Sequence, residues 1–295
     1  MIDIFEHRPV LIAGPTASGK SALALHIAET QGGVVINADA LQVFDGWRIV
    51  TARPSEAELA RARHVLYGHI PLDGHYSVGD WLRDVTPYLH GARPIIVGGT
   101  GLYLSALTEG LADIPQTPAA VRARADEMSL ELMLDTLDAE TRARIDQQNP
   151  VRVQRAWEVA ESTGRSLASW QDETPAPTLP LADVTPLVLD APKEWLTPRI
   201  AQRFEQMLGI GALAEAEAIL PNWNPAHQSS KAIGAQELIN HLRGDLSVAK
   251  ATEAAIVAST QYAKRQRTWF NKRMRHWKSI HMPSTDLSTV FTFRT

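Results

Sequence analysis

Residues 14–21 read Gly-Pro-Thr-Ala-Ser-Gly-Lys-Ser, a complete G-x-x-x-x-G-K-[ST] loop. An apolar run, Val10 to Ala13, precedes it, and a helix-forming run, Ser21 to Leu25, follows. That context is the one a phosphate cradle requires. Gly14 and Gly19 let the backbone turn across Pro15, Thr16, Ala17 and Ser18 so that several N–H groups point inward at one anion. The helix adds its positive N-terminal end. Lys20 brings a flexible ammonium, and the Ser21 hydroxyl is placed to help hold magnesium. The loop does not say whose phosphates it binds.

Two further segments belong with it. Asp39 closes the run Val34-Val35-Ile36-Asn37-Ala38-Asp39. A carboxylate at such a strand end could hold magnesium, serve as a base toward a bound nucleophile, or merely cap the next turn. Gly98-Gly99-Thr100-Gly101 is a second glycine-rich strand-to-helix turn, whose amides and Thr100 hydroxyl could meet the same anion. Alone it is an ordinary tight turn.

The elements that would position these groups follow the βαβ rhythm of a parallel sheet covered by helices. Strands are expected at Val10–Gly14, Val34–Asn37 and Pro94–Gly98, with a weaker one at Val65–Ile70. Helices are expected at Ser21–Thr30, Ser55–Arg63, Val78–Leu89 and Gly101–Leu107. In such folds ligands gather at the carboxyl ends of the strands, where the Gly14 loop, Asp39 and Thr100 all fall. The fold class expected is therefore α/β, with a P-loop-type parallel sheet flanked by helices and an all-helical insertion domain.

The insertion is read at 117–180, where the pattern is helical, rich in Arg, Glu and Ala, and closed by Pro175, Pro177 and Pro180. The core then comprises 1–116 and 181–295. Its second part holds a strand at Leu187–Leu189 and ends in a long helix, since Leu246 to Met282 contains neither Gly nor Pro. Fully helical, that run would span roughly 50 Å.

Composition bounds the function. The chain has 295 residues, 44% of them hydrophobic, and no cysteine. That is enough for a real core, and it excludes disulfides, thiolate metal sites and a cysteine nucleophile. The acid-bearing start, Met1 to Arg8, is no signal peptide, and no run approaches the ~20 apolar residues of a membrane span. A cytoplasmic protein with no membrane partner is expected, and a monomer. The net charge of −4 hides an asymmetry: Tyr262 to Lys278 carries seven Lys or Arg and no acid. A basic C-terminal element on an acidic body marks an anion or nucleic-acid footprint. On a helix, Trp269, Arg273 and Trp277 would share a face. The aromatics read better as core residues than as base-stacking platforms, whereas Lys264, Arg265 and Arg267 read as anion contacts.

With these blocks laid out, the chain resembles the bacterial tRNA dimethylallyltransferases (tRNA isopentenyltransferases) over nearly its whole length. The likeness rests on Gly14–Ser21, on Asn37-Ala38-Asp39 with Gln42-Val43, and on Thr51-Ala52-Arg53-Pro54. It continues with Ile96 to Tyr103, Arg203 to Leu208, Ala232-Ile233-Gly234, and Tyr262-Ala263-Lys264-Arg265-Gln266 before Thr268-Trp269-Phe270. The resemblance implies a core that binds dimethylallyl diphosphate rather than ATP, with Mg2+, and an insertion that grips the anticodon stem-loop of tRNA. The implied reaction is prenyl transfer to N6 of the adenosine 3′ of the anticodon. Asp39 would accept the proton, while Lys20 and Thr100 would meet the departing pyrophosphate. The resemblance assigns tRNA contacts to Asp39, Ala40, Leu41, Gln42, Arg53, Thr100, Arg122, Val151, Arg152, Val153, Gln154 and Arg155. It also places Lys231 to Gln236 near the substrate, and the basic stretch adds Lys264 and Arg267. Departures from the family pattern are Ala40 for Ser, Val50 and Arg53 for Gly and Lys, Ala235 for Tyr and Thr260 for Arg.

Three rival readings share parts of this pattern. A small-molecule kinase would use the loop and Asp39 but leaves the insertion and the basic helix unexplained. An RNA-binding switch would bind tRNA without changing a base. A prenyltransferase of free adenine nucleotides would need no separate RNA grip.

Overall fold

The computed structural model describes residues 2–5, 7–283 and 291–294. The chain divides into two compact units, Met1–Thr108 with Leu179–Thr295, and Glu109–Thr178. In chain order the elements begin with β1 (Ile2–Phe5), β2 (Val10–Ala13), α1 (Lys20–Gln31), β3 (Val34–Asn37), α2 (Glu56–Arg61), β4 (Arg63–Val65), α3 (Val78–Val85), β5 (Pro94–Gly98) and α4 (Gly101–Glu109). The smaller unit holds α5 (Ala119–Asp126), α6 (Leu130–Thr136), α7 (Ala139–Arg144), α8 (Pro150–Thr163) and α9 (Leu167–Asp172). The chain continues with β6 (Thr185–Asp190), α10 (Lys193–Gly209), α11 (Ala212–Ile219), α12 (Ala235–Leu242), α13 (Val248–Arg273), β7 (Lys278–His281) and β8 (Phe291–Arg294).

Six parallel strands form the main sheet, in the order β4-β3-β5-β2-β6-β7. The central strands β2, β3 and β5 are buried along their whole length. That burial explains their continuous Val, Ile and Leu runs, because helices cover both faces. One core lies on the face of Trp81, Tyr103 and Phe270, the other on the face of α1 with Leu23 and Ile27. The topology does the positioning. The chain leaves β2, passes over β5 and enters β3, so β3, β5 and β2 lie side by side. Ala13 is in register with Gly98, and Asn37 with Val97. The carboxyl ends of these three strands carry the Gly14 loop, Asp39 and Thr100.

Helix starts are written in the sequence. Ser55 and Ser77 begin α2 and α3 with capping boxes that reach Glu58 and Asp80, and Ser247 caps α13. In the smaller unit, α8 is the hub. Asn149 caps it, Pro150 opens it and Gly164 ends it. Its Val153, Ala156 and Trp157 pack with Ala125, Met133 and Leu137. The unit begins at Glu109, ahead of the expected 117, and residues 110–118 form neither helix nor strand, with α5 starting just beyond them.

Four expectations need correction. The last helix does not run to Met282. It ends at Arg273, and Lys278–His281 forms a parallel edge strand beside β6. No glycine or proline stops it. Burial of Met274, Trp277 and Ile280 outweighs the local helical preference. Trp277 therefore shares no helix face with Trp269 and Arg273. It lies in the core with Phe270, as expected of the aromatics. The weak strand is Arg63–Val65, with Ile70 joined only by a bridge to Phe44. The α3 helix stops at Val85, and Pro87 continues it as a 3₁₀ turn, Thr86–Leu89. Finally β1 pairs with β8 in a separate two-stranded sheet, and neither strand was expected.

The close approach of β3 and β5 depends on Gly98. A Cβ there would sit 2.0 Å from the Ala38 carbonyl oxygen, which is backbone and cannot move aside. Gly98→Ala should destabilise the protein by about 1–3 kcal/mol. Thermal melting checks this, and an unchanged midpoint would mean the strand ends are looser than described.

Candidate active site

The phosphate loop is held open from several sides. Gly19 precedes α1 in the left-handed conformation, φ 89°, a conformation open to glycine without strain. Unlike α2, α3 and α13, α1 has no side-chain cap, so its first N–H groups remain free for an anion. Gly14 leaves room for Ser18. A Cβ at 14 would lie 2.7 Å from Ser18 Oγ, a fully buried hydroxyl without a partner among the described residues. Lys20 Nζ reaches back to the Pro15 carbonyl at 3.4 Å.

Asp39 is fixed by a corner built on Asn37. The buried Asn37 side chain accepts from the Asp39 N–H at 2.9 Å and donates to the carbonyls of Asp39 and Leu66, both at 3.0 Å. The Trp81 indole N–H donates to the Asn37 carbonyl at 2.7 Å. Asp39 Oδ1 accepts from the Leu41 N–H at 3.0 Å. Oδ2 has no hydrogen bond among the described residues, so it is available to a ligand. The Thr100 hydroxyl accepts from the Ala40 N–H at 2.9 Å, and the Thr100 N–H donates to the Ala38 carbonyl. This tie explains how Ala40 is tolerated: the turn is held through its backbone N–H and needs no hydroxyl at 40.

Four site residues carried no expected role. Gln266 of α13 is buried. It accepts from the Thr16 N–H at 2.9 Å and donates to the Gly99 carbonyl at 3.0 Å. Arg203 of α10 donates to the Thr16 hydroxyl at 3.4 Å, and Arg199, one turn earlier, donates to the Ala17 carbonyl at 3.1 Å. Glu215 of α11 accepts from three successive backbone N–H groups, those of Arg48, Ile49 and Val50, at 2.6–2.9 Å. It thereby pins the loop that carries Thr51 and Arg53. Arg203 and Gln266 stand inside sequence blocks already singled out, but a buried partner cannot be told from a solvated one without the packing.

Two cavities meet at this edge. A small one of about 80 Å³ is lined by Thr16, Lys20, Asp39, Arg203, Tyr262 and Gln266, among others. A larger groove of about 750 Å³ runs past Gly19, Lys20, Ser21, Arg48, Arg53, Arg199 and Arg203. Lys20 and Arg203 border both. Both side chains are partly buried there. Burial pushes the Lys20 ammonium down to about 8, with Asp39 opposing and Arg203 reinforcing the shift. Burial also lowers Arg203, again against the pull of Asp39. Arg53, also lowered by burial, donates to the Phe44 carbonyl at 2.8 Å. Among the described residues there is no cluster of three His, Asp or Glu able to hold a metal.

The sequence pattern of the IPP transferase family matches residues 42–273, and that of isopentenyl transferase matches residues 8–73. The tRNA dimethylallyltransferase of Dinoroseobacter shibae is 61% identical over 279 residues, covering 92% of this chain and 94% of its own. That of Roseobacter denitrificans is 60% identical, covering 94% and 99%. The chain belongs to the tRNA dimethylallyltransferase family. Among solved structures, the tRNA isopentenylpyrophosphate transferase of Bacillus halodurans superposes with a TM-score of 0.68 at 28% identity, over 96% of this chain and 93% of that one. A eukaryotic dimethylallyltransferase acting on tRNA shares the fold, with a TM-score of 0.79 at 22% identity over 98% and 77%.

The positions to which family likeness gives tRNA contacts fall unevenly. Leu41 and Gln42 line the small cavity beside Asp39, and the Gln42 amide donates to the Thr51 and Ala52 carbonyls. Arg53 lines the larger groove. Lys231 is exposed at the end of a 3₁₀ turn, and Lys264 is exposed on α13. Arg267 is half-buried, with its Nε enclosed and unpartnered among the described residues, so it does not belong to the open basic stripe with Lys264. In the smaller unit Val151 and Arg152 are exposed, and Arg122, Gln154 and Arg155 flank the buried Glu158. Val153 must be withdrawn as an RNA contact: it is fully buried in the α8 core, one helical step off the exposed face. The departures Val50 and Ala235 are core residues that share one cluster with Phe204.

The lowered Lys20 predicts a proton linkage. In the free protein Lys20 is mostly neutral above pH 8. A bound diphosphate favours the ammonium and raises its pKa, so binding must take up a proton at alkaline pH. At pH 9 the uptake should approach about 0.9 proton. It should vanish near pH 6.5, where Lys20 is already charged, and in Lys20→Met. Calorimetry in buffers of different ionisation enthalpy measures it, and zero uptake at pH 9 in the unsubstituted protein would contradict the assignment.

Proposed function

We propose that this chain transfers the dimethylallyl group of dimethylallyl diphosphate to N6 of the adenosine on the 3′ side of the tRNA anticodon, in the cytoplasm. The observation that carries this reading is the wall of Lys20 and Arg203 between two cavities, one beside the phosphate loop and one beside Asp39. A diphosphate on the loop and a base at Asp39 would meet across that wall. A kinase needs the loop and the acid as well, but family membership and the helical unit favour an RNA substrate.

The chemistry follows from the residues. An exocyclic adenine nitrogen is a weak nucleophile. Asp39 Oδ2, with Oδ1 held by Leu41, is oriented to accept its proton as the N6–C1 bond forms. The allylic C1–O bond breaks, and its electron pair leaves with pyrophosphate. The negative charge that builds there is met by the uncapped amides of α1, by Lys20 and by Arg203, both partly buried. Thr100 holds the Asp39 turn through the Ala40 N–H and so sets the angle of the carboxylate. The target base must leave its stack, at a cost of a few kcal/mol, which contacts from the RNA-facing residues would offset.

Magnesium fits this donor set. Ser21 offers an exposed hydroxyl at the first turn of α1, and a protein site of few ligands suits an ion that keeps waters and binds through phosphate oxygens. When bound it would neutralise diphosphate charge.

Asp39→Asn keeps the Leu41 hydrogen bond but cannot accept the proton. Single-turnover transfer should slow by about 10²–10⁴-fold, with tRNA affinity changed less than about threefold. Unimpaired transfer would remove Asp39 as the base.

A further inference from the structure

In the smaller unit, one buried carboxylate on α8 ties together polar side chains of α5, α8 and the segment before α5. Glu158 is only 1% exposed. It grips the Arg122 guanidinium with both oxygens, Oε1 to Nε at 2.6 Å and Oε2 to Nη2 at 2.9 Å. Oε1 also accepts from the Gln154 amide at 3.1 Å. Thr117 donates weakly to Oε2 at 3.5 Å, and Arg155 in turn donates to the Thr117 hydroxyl at 2.7 Å. Gln154 is further tied to Asp126 at 2.7 Å.

The balance is unusual. Arg122 stays 54% exposed in its side chain while its carboxylate partner is sealed. One edge of the planar fork, that of Nε and Nη2, is occupied, which leaves the outward N–H groups of Nη1 and Nη2 aimed by the carboxylate rather than free to rotate. Oriented guanidinium planes recognise phosphates bidentately, which is what makes arginine selective rather than merely attractive.

We propose that Glu158 is a positioning residue for RNA recognition, holding Arg122, Gln154 and, through Thr117, Arg155 in the arrangement that distinguishes a folded anticodon stem-loop from unstructured RNA. This rests on the reading of the helical unit as the RNA grip. It makes a prediction opposite in sign to simple charge counting. Neutralising a carboxylate beside two guanidiniums raises the local positive charge, and by electrostatics alone it should tighten all RNA binding.

The experiment compares an anticodon stem-loop with poly-U of equal length, on the full chain at fixed salt. The unsubstituted protein should prefer the stem-loop. In Glu158→Gln the stem-loop should bind about tenfold more weakly, while poly-U affinity holds or rises. If the preference persists in a folded Glu158→Gln protein, the inference is overturned and Glu158 is a structural ion-pair partner only. If that variant fails to fold, Arg122→Lys decides. It keeps the charge and loses the fork, so specificity should fall, and retained specificity overturns the inference. No preference in the unsubstituted protein would overturn both the RNA-grip reading and this inference with it.

Discussion

A single buried amide joins the two glycine-rich turns on which the site depends. Gln266 accepts from Thr16 in the phosphate loop and donates to Gly99 at the end of β5. Both partners are backbone groups. Leaving either one buried and unpaired costs about 1–3 kcal/mol. The bridge also fixes where α13 must lie. It brings Trp269 against Gly101, where a Cβ would meet the ring at 2.2 Å, and Phe270 into the core beside β5. The C-terminal helix is thus the clamp that sets the distance between the anion loop and the turn holding Asp39.

Around that clamp the charges divide the work. Asn37, Trp81 and Thr100 hold Asp39 without neutralising it, and Oδ2 is left for a ligand. Lys20 and Arg203 face two cavities from partly buried positions. Their burial is costly in the free protein, and an arriving anion offsets it. Glu215 does for the 48–53 loop what Gln266 does for the phosphate loop. It gathers three amides with one carboxylate, so the groove keeps its shape with Arg48 and Arg53 facing it.

Much of this was legible in the residues. The phosphate loop, Asp39 and Thr100 are local signals: glycine spacing, a strand end and a helix start, each readable within ten residues. Strands β2, β3 and β5 were legible because full burial writes unbroken apolar runs. What was not legible depends on contacts between distant segments. Gln266 lies 250 residues from Thr16, and no local pattern marks it as buried. β7 carries no breaker before it and becomes a strand because β6 offers an edge. Val153 sits in a block assigned to RNA, but it lies one position past exposed Arg152, and on a helix that turns it to the core. Glu158 looks like one more surface acid until packing seals it.

The most direct test of the account is mass spectrometry of an unmodified tRNA with adenosine 3′ of its anticodon, incubated with the protein, magnesium and dimethylallyl diphosphate, with ATP as a parallel donor. A gain of one prenyl mass on that adenosine is expected with the diphosphate donor and none with ATP. Phosphate transfer or hydrolysis from ATP without any prenyl gain would contradict it, and would make the loop between β2 and α1 a nucleotide site.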